Sequence, residues 1–187
     1  MERNRAWLNL PNLLTMLRIL LAPAVVAAFF TSPADAQLPA LCLFLLAGLT
    51  DWLDGHIARR CGLITALGKV LDPIADKLMS AAALACLIGA NVIPWYLLAV
   101  IVVKELYMGV GATICLKHRI EVQADVYGKI ATALFYPAVL LAWPWHGLDG
   151  VRAAGRALIC ISVLLSLIAA AHYTRSSVKK WRRMRSD

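Results

Sequence analysis

Residues 51–76 read DWLDGHIARRCGLITALGKVLDPIAD and hold four of the chain's eleven acidic residues, Asp51, Asp54, Asp72 and Asp76. At about 100° per helical residue, Asp51 and Asp54 stand about 60° apart and Asp72 and Asp76 about 40° apart, so each pair projects from one helix face. The 61–68 linker is short enough to make the two helices antiparallel neighbours, which brings both pairs to one end of a bundle. Four converging carboxylates repel one another unless they are protonated or bind cations. An all-oxygen cluster suits hard ions, Mg²⁺ or Mn²⁺, as a pair, and fits zinc poorly. Small residues accompany the acids: Gly55 and Ala58 share the Asp51/Asp54 side, and Gly68 lies about 40° from Asp72. They open a groove for a flat base or a diphosphate, or they serve close helix packing. Arg59, about 80° round from Asp51, offers a planar fork to phosphate oxygens.

The surroundings of this stretch are apolar. Of 187 residues, 61% are hydrophobic, and the mean hydropathy is +0.71. A globule of this size has too much surface to bury such an excess, so the chain needs lipid. Disorder is excluded by the same composition, a disulfide scaffold by only five Cys in a long chain, and the odd number and lack of CxxC spacing read those Cys as small buried apolar residues rather than metal or redox groups. Apolar runs predict an all-α integral membrane protein with six spans at 13–31, 38–60, 69–90, 93–116, 127–143 and 152–173. Residues 1–12 read as a short amphipathic interfacial helix, 13–173 as the catalytic bundle and 174–187 as a basic cytoplasmic tail. Charges intrude into the spans at Arg18, at the four aspartates, at Lys77 and at Lys104 and Glu105. Ionisable groups at membrane depth must face a protein interior or a wet cavity, so function is sought there.

Loop charges orient the bundle. The N-terminus, the 59–69 region, the 117–129 loop and the tail hold fourteen Lys and Arg, against two in the opposite loops. The positive-inside rule then places both termini and the acidic cluster at the cytoplasmic face of the cell (inner) membrane. Trp7, Trp95, Trp143, Trp145 and Trp181 fall near span ends, as interfacial rings do. The tail RSSVKKWRRMRSD, following a span, reads as a topology signal resting on anionic headgroups rather than as a nucleic-acid patch.

As a pattern, the 51–76 stretch is D-x2-D-G-x2-A-R-x8-G-x3-D-x3-D, and it resembles the signature of the CDP-alcohol phosphatidyltransferases at all eight positions. The likeness extends to the six-span plan. It implies two divalent ions held by Asp51, Asp54, Asp72 and Asp76, with Asp76 also the general base. It implies further that Gly55, Ala58 and Arg59, with Asp51, Gly68, Asn12 and Thr15, hold the CDP-linked lipid, that CMP is released, and that the enzyme is a homodimer.

The opening LPNLLTMLRILLAP, with Asn12, Thr15 and Arg18 spaced three apart, is most similar to the members that act on glycerol 3-phosphate, the phosphatidylglycerophosphate synthases. The resemblance therefore implies CDP-diacylglycerol as donor and glycerol 3-phosphate as acceptor. Arg119, Lys129 and Lys104 form a cationic set suited to a phosphate-bearing acceptor. Lys104, beside Glu105 and Tyr107, is open to a second reading as an ion pair. Ala131 and the KELY run at 104–107 depart from the expected pattern, which leaves cardiolipin synthases using phosphatidylglycerol as the alternative. A transporter with an aspartate path fits less well, because the acids cluster at one face instead of crossing the bilayer.

Overall fold

The computed structural model describes residues 10–33, 37–61, 68–118, 126–145 and 147–186. For residues 10, 11, 52, 54–61, 69, 70 and 183–186 it describes the backbone alone. Six helices are found among the described residues: α1 (Leu10–Thr31), α2 (Leu38–Cys61), α3 (Gly68–Gly89), α4 (Trp95–Lys117), α5 (Val126–Ala142) and α6 (Asp149–Ser186). They fall into two compact units, Met1–Asn91 and Val92–Asp187.

In the first unit α1 packs on both α2 and α3. The buried positions of α1 are Asn12, Thr15, Arg18, Leu21, Ala22, Val25 and Phe29, one stripe at helical spacing whose first three members are polar and the rest apolar. On α2 the stripe is Ala40, Leu41, Phe44, Ala47 and Thr50, and on α3 it is Ala75, Met79, Ala82, Ala83 and Cys86. Asp51 continues the first of these seams, and Asp72 and Asp76 continue the second. Helix ends follow local chemistry. Pro39 stands in the first turn of α2, where its missing N–H costs nothing. After Gly89 the chain turns through Asn91 in the left-handed region (φ 55°), which Asn tolerates, and the Asn91 N–H donates to the Ile88 carbonyl at 2.9 Å.

The second unit is built on α5 against α6, with α4 touching α6. Ala131, Phe135, Ala138, Val139 and Ala142 of α5 are buried, as are Ile159, Ser162, Ala169 and Ala170 of α6. The buried Ser162 Oγ donates across the pair to the Ala131 carbonyl at 2.8 Å, a polar tie of the kind that joins helices in lipid. Gly155 marks the closest approach: a Cβ there would lie 2.1 Å from the Ala142 nitrogen.

Among the described residues, three helices are long and apolar enough to cross a membrane, at Asn12–Thr31, Trp95–Lys117 and Asp149–Arg182; shorter apolar helices run Leu38–Asp51 and Val126–Ala142. α3 is not among the three, its first half carrying Asp72, Asp76 and Lys77. Each expected span has its helix. The interfacial helix expected over 1–12 lies outside the described residues apart from 10–12, which open α1. Residues 174–186, expected as a tail, continue α6 without a break.

Candidate active site

Three helices meet where their seams turn polar. Arg18, on α1, is completely buried, and a guanidinium removed from water requires carboxylates around it. One of its terminal nitrogens, Nη1, lies 2.5 Å from Asp51 Oδ1 and 2.7 Å from Asp76 Oδ1. Arg18 thus ties the first aspartate of the 51–76 stretch, on α2, to the last, on α3. One turn earlier on α1 the Thr15 hydroxyl, also buried, donates to Asp72 Oδ1 at 2.6 Å. Asn12 completes the buried polar edge.

The two ends of this arrangement differ in access. Arg18 is sealed, whereas the side chains of Asp51 and Asp76 remain 40% and 47% exposed. The carboxylates are therefore gripped from behind and open in front. Charge-assisted bonds of this length are the strong ones, and each holds one oxygen of its carboxylate against Arg18. The result is an anionic rim, of fixed geometry, with its counter-charge buried beneath it.

The expected site residues fall as follows. Asp51, Asp72 and Asp76 come together around the α1 stripe, with Thr15 and Asn12 in that stripe. Gly68, buried, is the first residue of α3. Asp54, Gly55, Ala58 and Arg59 lie on the last turns of α2, but their side chains are outside the described residues. Among the described residues no group of three or more His, Cys, Asp or Glu is placed to hold a metal ion. Lys104 forms the ion pair with Glu105, Lys129 is exposed in the first turn of α5, and Arg119 is outside the described residues. Arg18 is the residue whose role the sequence did not assign. Its spacing from Asn12 and Thr15 was the available signal; its partners were not.

Comparison with known proteins bears directly on this site. Residues 8–172 match the family described as CDP-alcohol phosphatidyltransferase. The chain is 30% identical over 174 residues, 91% of its length and 96% of the relative's, to a Rickettsia felis protein named CDP-diacylglycerol--glycerol-3-phosphate 3-phosphatidyltransferase. Proteins of the same name from Bacillus subtilis and Salmonella choleraesuis are 37% identical over 138 residues, covering 66% of this chain and 70% of the relative, and 32% identical over 171, covering 88% and 92%. The matched region takes in all three helices that converge on Arg18, so the anionic rim is a feature of a protein that belongs to the CDP-alcohol phosphatidyltransferase family.

Proposed function

We propose that this protein transfers the phosphatidyl group of CDP-diacylglycerol to the hydroxyl of glycerol 3-phosphate, forming phosphatidylglycerophosphate and releasing CMP. The names of the full-length relatives support the two substrates. The observation that carries the chemistry is the Arg18 bridge, which sets the outer aspartates of the signature side by side with their open edges toward solvent.

The acceptor oxygen attacks the phosphorus that bears the diacylglycerol, the bond from that phosphorus to the CMP oxygen breaks, and Asp76 takes the hydroxyl proton. Asp51, Asp54, Asp72 and Asp76 are assigned as ligands of two divalent cations. Such oxygen-only donors fit hard ions, and two of them already surround one cationic nitrogen. Bound there, Mg²⁺ or Mn²⁺ would neutralise charge on the diphosphate and on the departing CMP. Gly55, Ala58, Arg59 and Gly68, with Asn12, Thr15 and Asp51, hold the CDP moiety, and Arg119 and Lys129 take the acceptor phosphate; Lys104 is left out of that set, being paired with Glu105 and about 20 Å along α4 from His118.

Arg18 is a positioning residue in this scheme: it holds the base and the first ligand in register without touching substrate. All six helices are assigned as spans, with both termini and the site at the cytoplasmic face of the inner membrane, and the working unit is a homodimer.

The test offers purified protein CDP-diacylglycerol with Mg²⁺ or Mn²⁺ and, separately, glycerol 3-phosphate, phosphatidylglycerol, serine and inositol phosphate. CMP should form with glycerol 3-phosphate alone, cease on adding EDTA and return with excess Mg²⁺. CMP formation with phosphatidylglycerol and none with glycerol 3-phosphate would replace this reading with cardiolipin synthesis.

A further inference from the structure

Within the second unit a cleft of about 310 Å³ lies between α4 and α6. Its size is at the lower end for ligand sites. One wall is a single face of α4 with Tyr107, Gly111 and Cys115; the other is a single face of α6 with Tyr173, Ser177 and Trp181. Spanning residues 107 to 118, from α4 to the residue that caps it, the cleft runs about 16 Å along the helices.

The hydroxyls of its α6 wall are already occupied. Ser177 Oγ donates to the Tyr173 carbonyl at 2.9 Å and Thr174 Oγ1 to the Ala170 carbonyl at 2.8 Å. With its proton so used, Thr174 accepts from the Tyr107 hydroxyl at 2.9 Å, linking the two walls at that end. What this wall leaves for an occupant is mainly carbon.

The other end of the cleft is of opposite character. It lies beside Trp181 and His118, at the level where α6 carries Arg175, Lys179, Lys180, Arg182, Arg183 and Arg185 with no acidic residue before Asp187; none of the described Lys and Arg lines the cleft itself, and Lys180 and Arg182 flank Trp181 at about 100° to either side. At 1.5 Å per residue the Asp149–Arg182 segment of α6 is about 50 Å long, more than a bilayer core of about 30 Å, so its C-terminal end, with the basic residues from Arg175 onward, extends into the headgroup layer. An apolar slot that leads into a cationic headgroup zone matches one kind of molecule: an amphiphile with an acyl chain and an anionic head.

We propose that the α4–α6 cleft binds an anionic phospholipid, one acyl chain lying between Gly111 and Tyr173 and the phosphate meeting the basic end of α6 beside Trp181. This site is separate in its residues from the proposed CDP-lipid site and does not depend on the reaction assigned above.

The experiment places the full chain in nanodiscs of phosphatidylcholine and replaces a rising fraction of lipid with dibrominated phosphatidylglycerol or, in parallel, dibrominated phosphatidylcholine. Quenching due to Trp181 is read as the difference from Trp181→Phe. Phosphatidylglycerol should quench saturably, with an apparent affinity about fivefold or more above phosphatidylcholine.

Two variants probe the two halves of the site. A Cβ at Gly111 would lie 3.8 Å from the Tyr173 ring, so Gly111→Leu fills the slot and should bring phosphatidylglycerol quenching down to the phosphatidylcholine level. The surface triple variant K179Q/K180Q/R182Q should bring the preference to about one while leaving the slot intact. Equal quenching by the two lipids in the unaltered protein, or a preference that survives both variants, would overturn the proposal. Displacement of the brominated lipid by inorganic phosphate at matched ionic strength would overturn it too, showing a soluble-phosphate site in its place.

Discussion

Arg18 is fully buried, yet the two carboxylates it bridges are nearly half exposed. Its removal therefore deprives Asp51 and Asp76 of their tether without exposing a buried carboxylate, and the expected loss is that of hydrogen bonds to charged groups. Arg18→Met should lower stability by about 2 kcal/mol, read as thermal unfolding in detergent. It should also lower kcat by tenfold or more, as about 1.4 kcal/mol of lost positioning would, with a smaller change in KM for the CDP-lipid; Arg18→Lys should recover part of both. An unchanged kcat in Arg18→Met would mean that the bridge does not position Asp76 for the role proposed for it. Asp76→Asn keeps an oxygen for Arg18 to bond but cannot accept a proton, so it should unfold at nearly the same temperature while CMP release drops by about 10²–10⁴. The Asp54 side chain lies outside the described residues; that Asp72 and Asp76 share one side of α3 was readable from spacing. That Thr15 and Arg18 meet them was not, because an i, i+3, i+6 polar stripe shows which residues share a face and is silent on what that face touches.

The helices themselves show a division between polarity and backbone. Their bounds agree with the hydropathy runs to within about three residues over five of six helices, since a bilayer span and a helix core have the same length requirement. α6 is the exception: hydropathy stops near residue 173, but Arg, Lys and Met are good helix formers and no Gly or Pro follows, so the helix runs on to Ser186. Packing between helices offers its own contrast. At Gly155 an added Cβ would meet the backbone of Leu141 and Ala142 at 2.5 and 2.1 Å, and backbone cannot rotate away. Gly155→Ala should force α5 and α6 apart and destabilise by about 1–3 kcal/mol or more. At Gly89 the added carbon would meet the ring end of Phe30, 2.5 Å away, but that side chain is 59% exposed and free to swing. Gly89→Ala should stay within about 0.5 kcal/mol. Thermal unfolding of both variants side by side checks the pair, and equal effects would refute the distinction.

For the molecule as a whole, the apolar composition and the uneven distribution of Lys and Arg among the loops carry the proposed topology, with the basic C-terminal end of α6 at the cytoplasmic face. A fluorescent protein fused after Asp187 should be bright and an alkaline phosphatase fused there inactive, as for a cytoplasmic C-terminus; the reverse pattern would turn the proposed topology over. The all-helical class, the six apolar helices found among the described residues and the eight-position signature were legible in the chain, because helix formation and hydropathy depend on local composition and period. The grip of Arg18 on Asp51 and Asp76, the hydroxyl of Thr15 on Asp72, the intolerance of Gly155 and the α4–α6 cleft were not. Each is a contact between segments distant in sequence, and such contacts arise only when apolar stripes, equally able to pack in several ways, settle on particular partners.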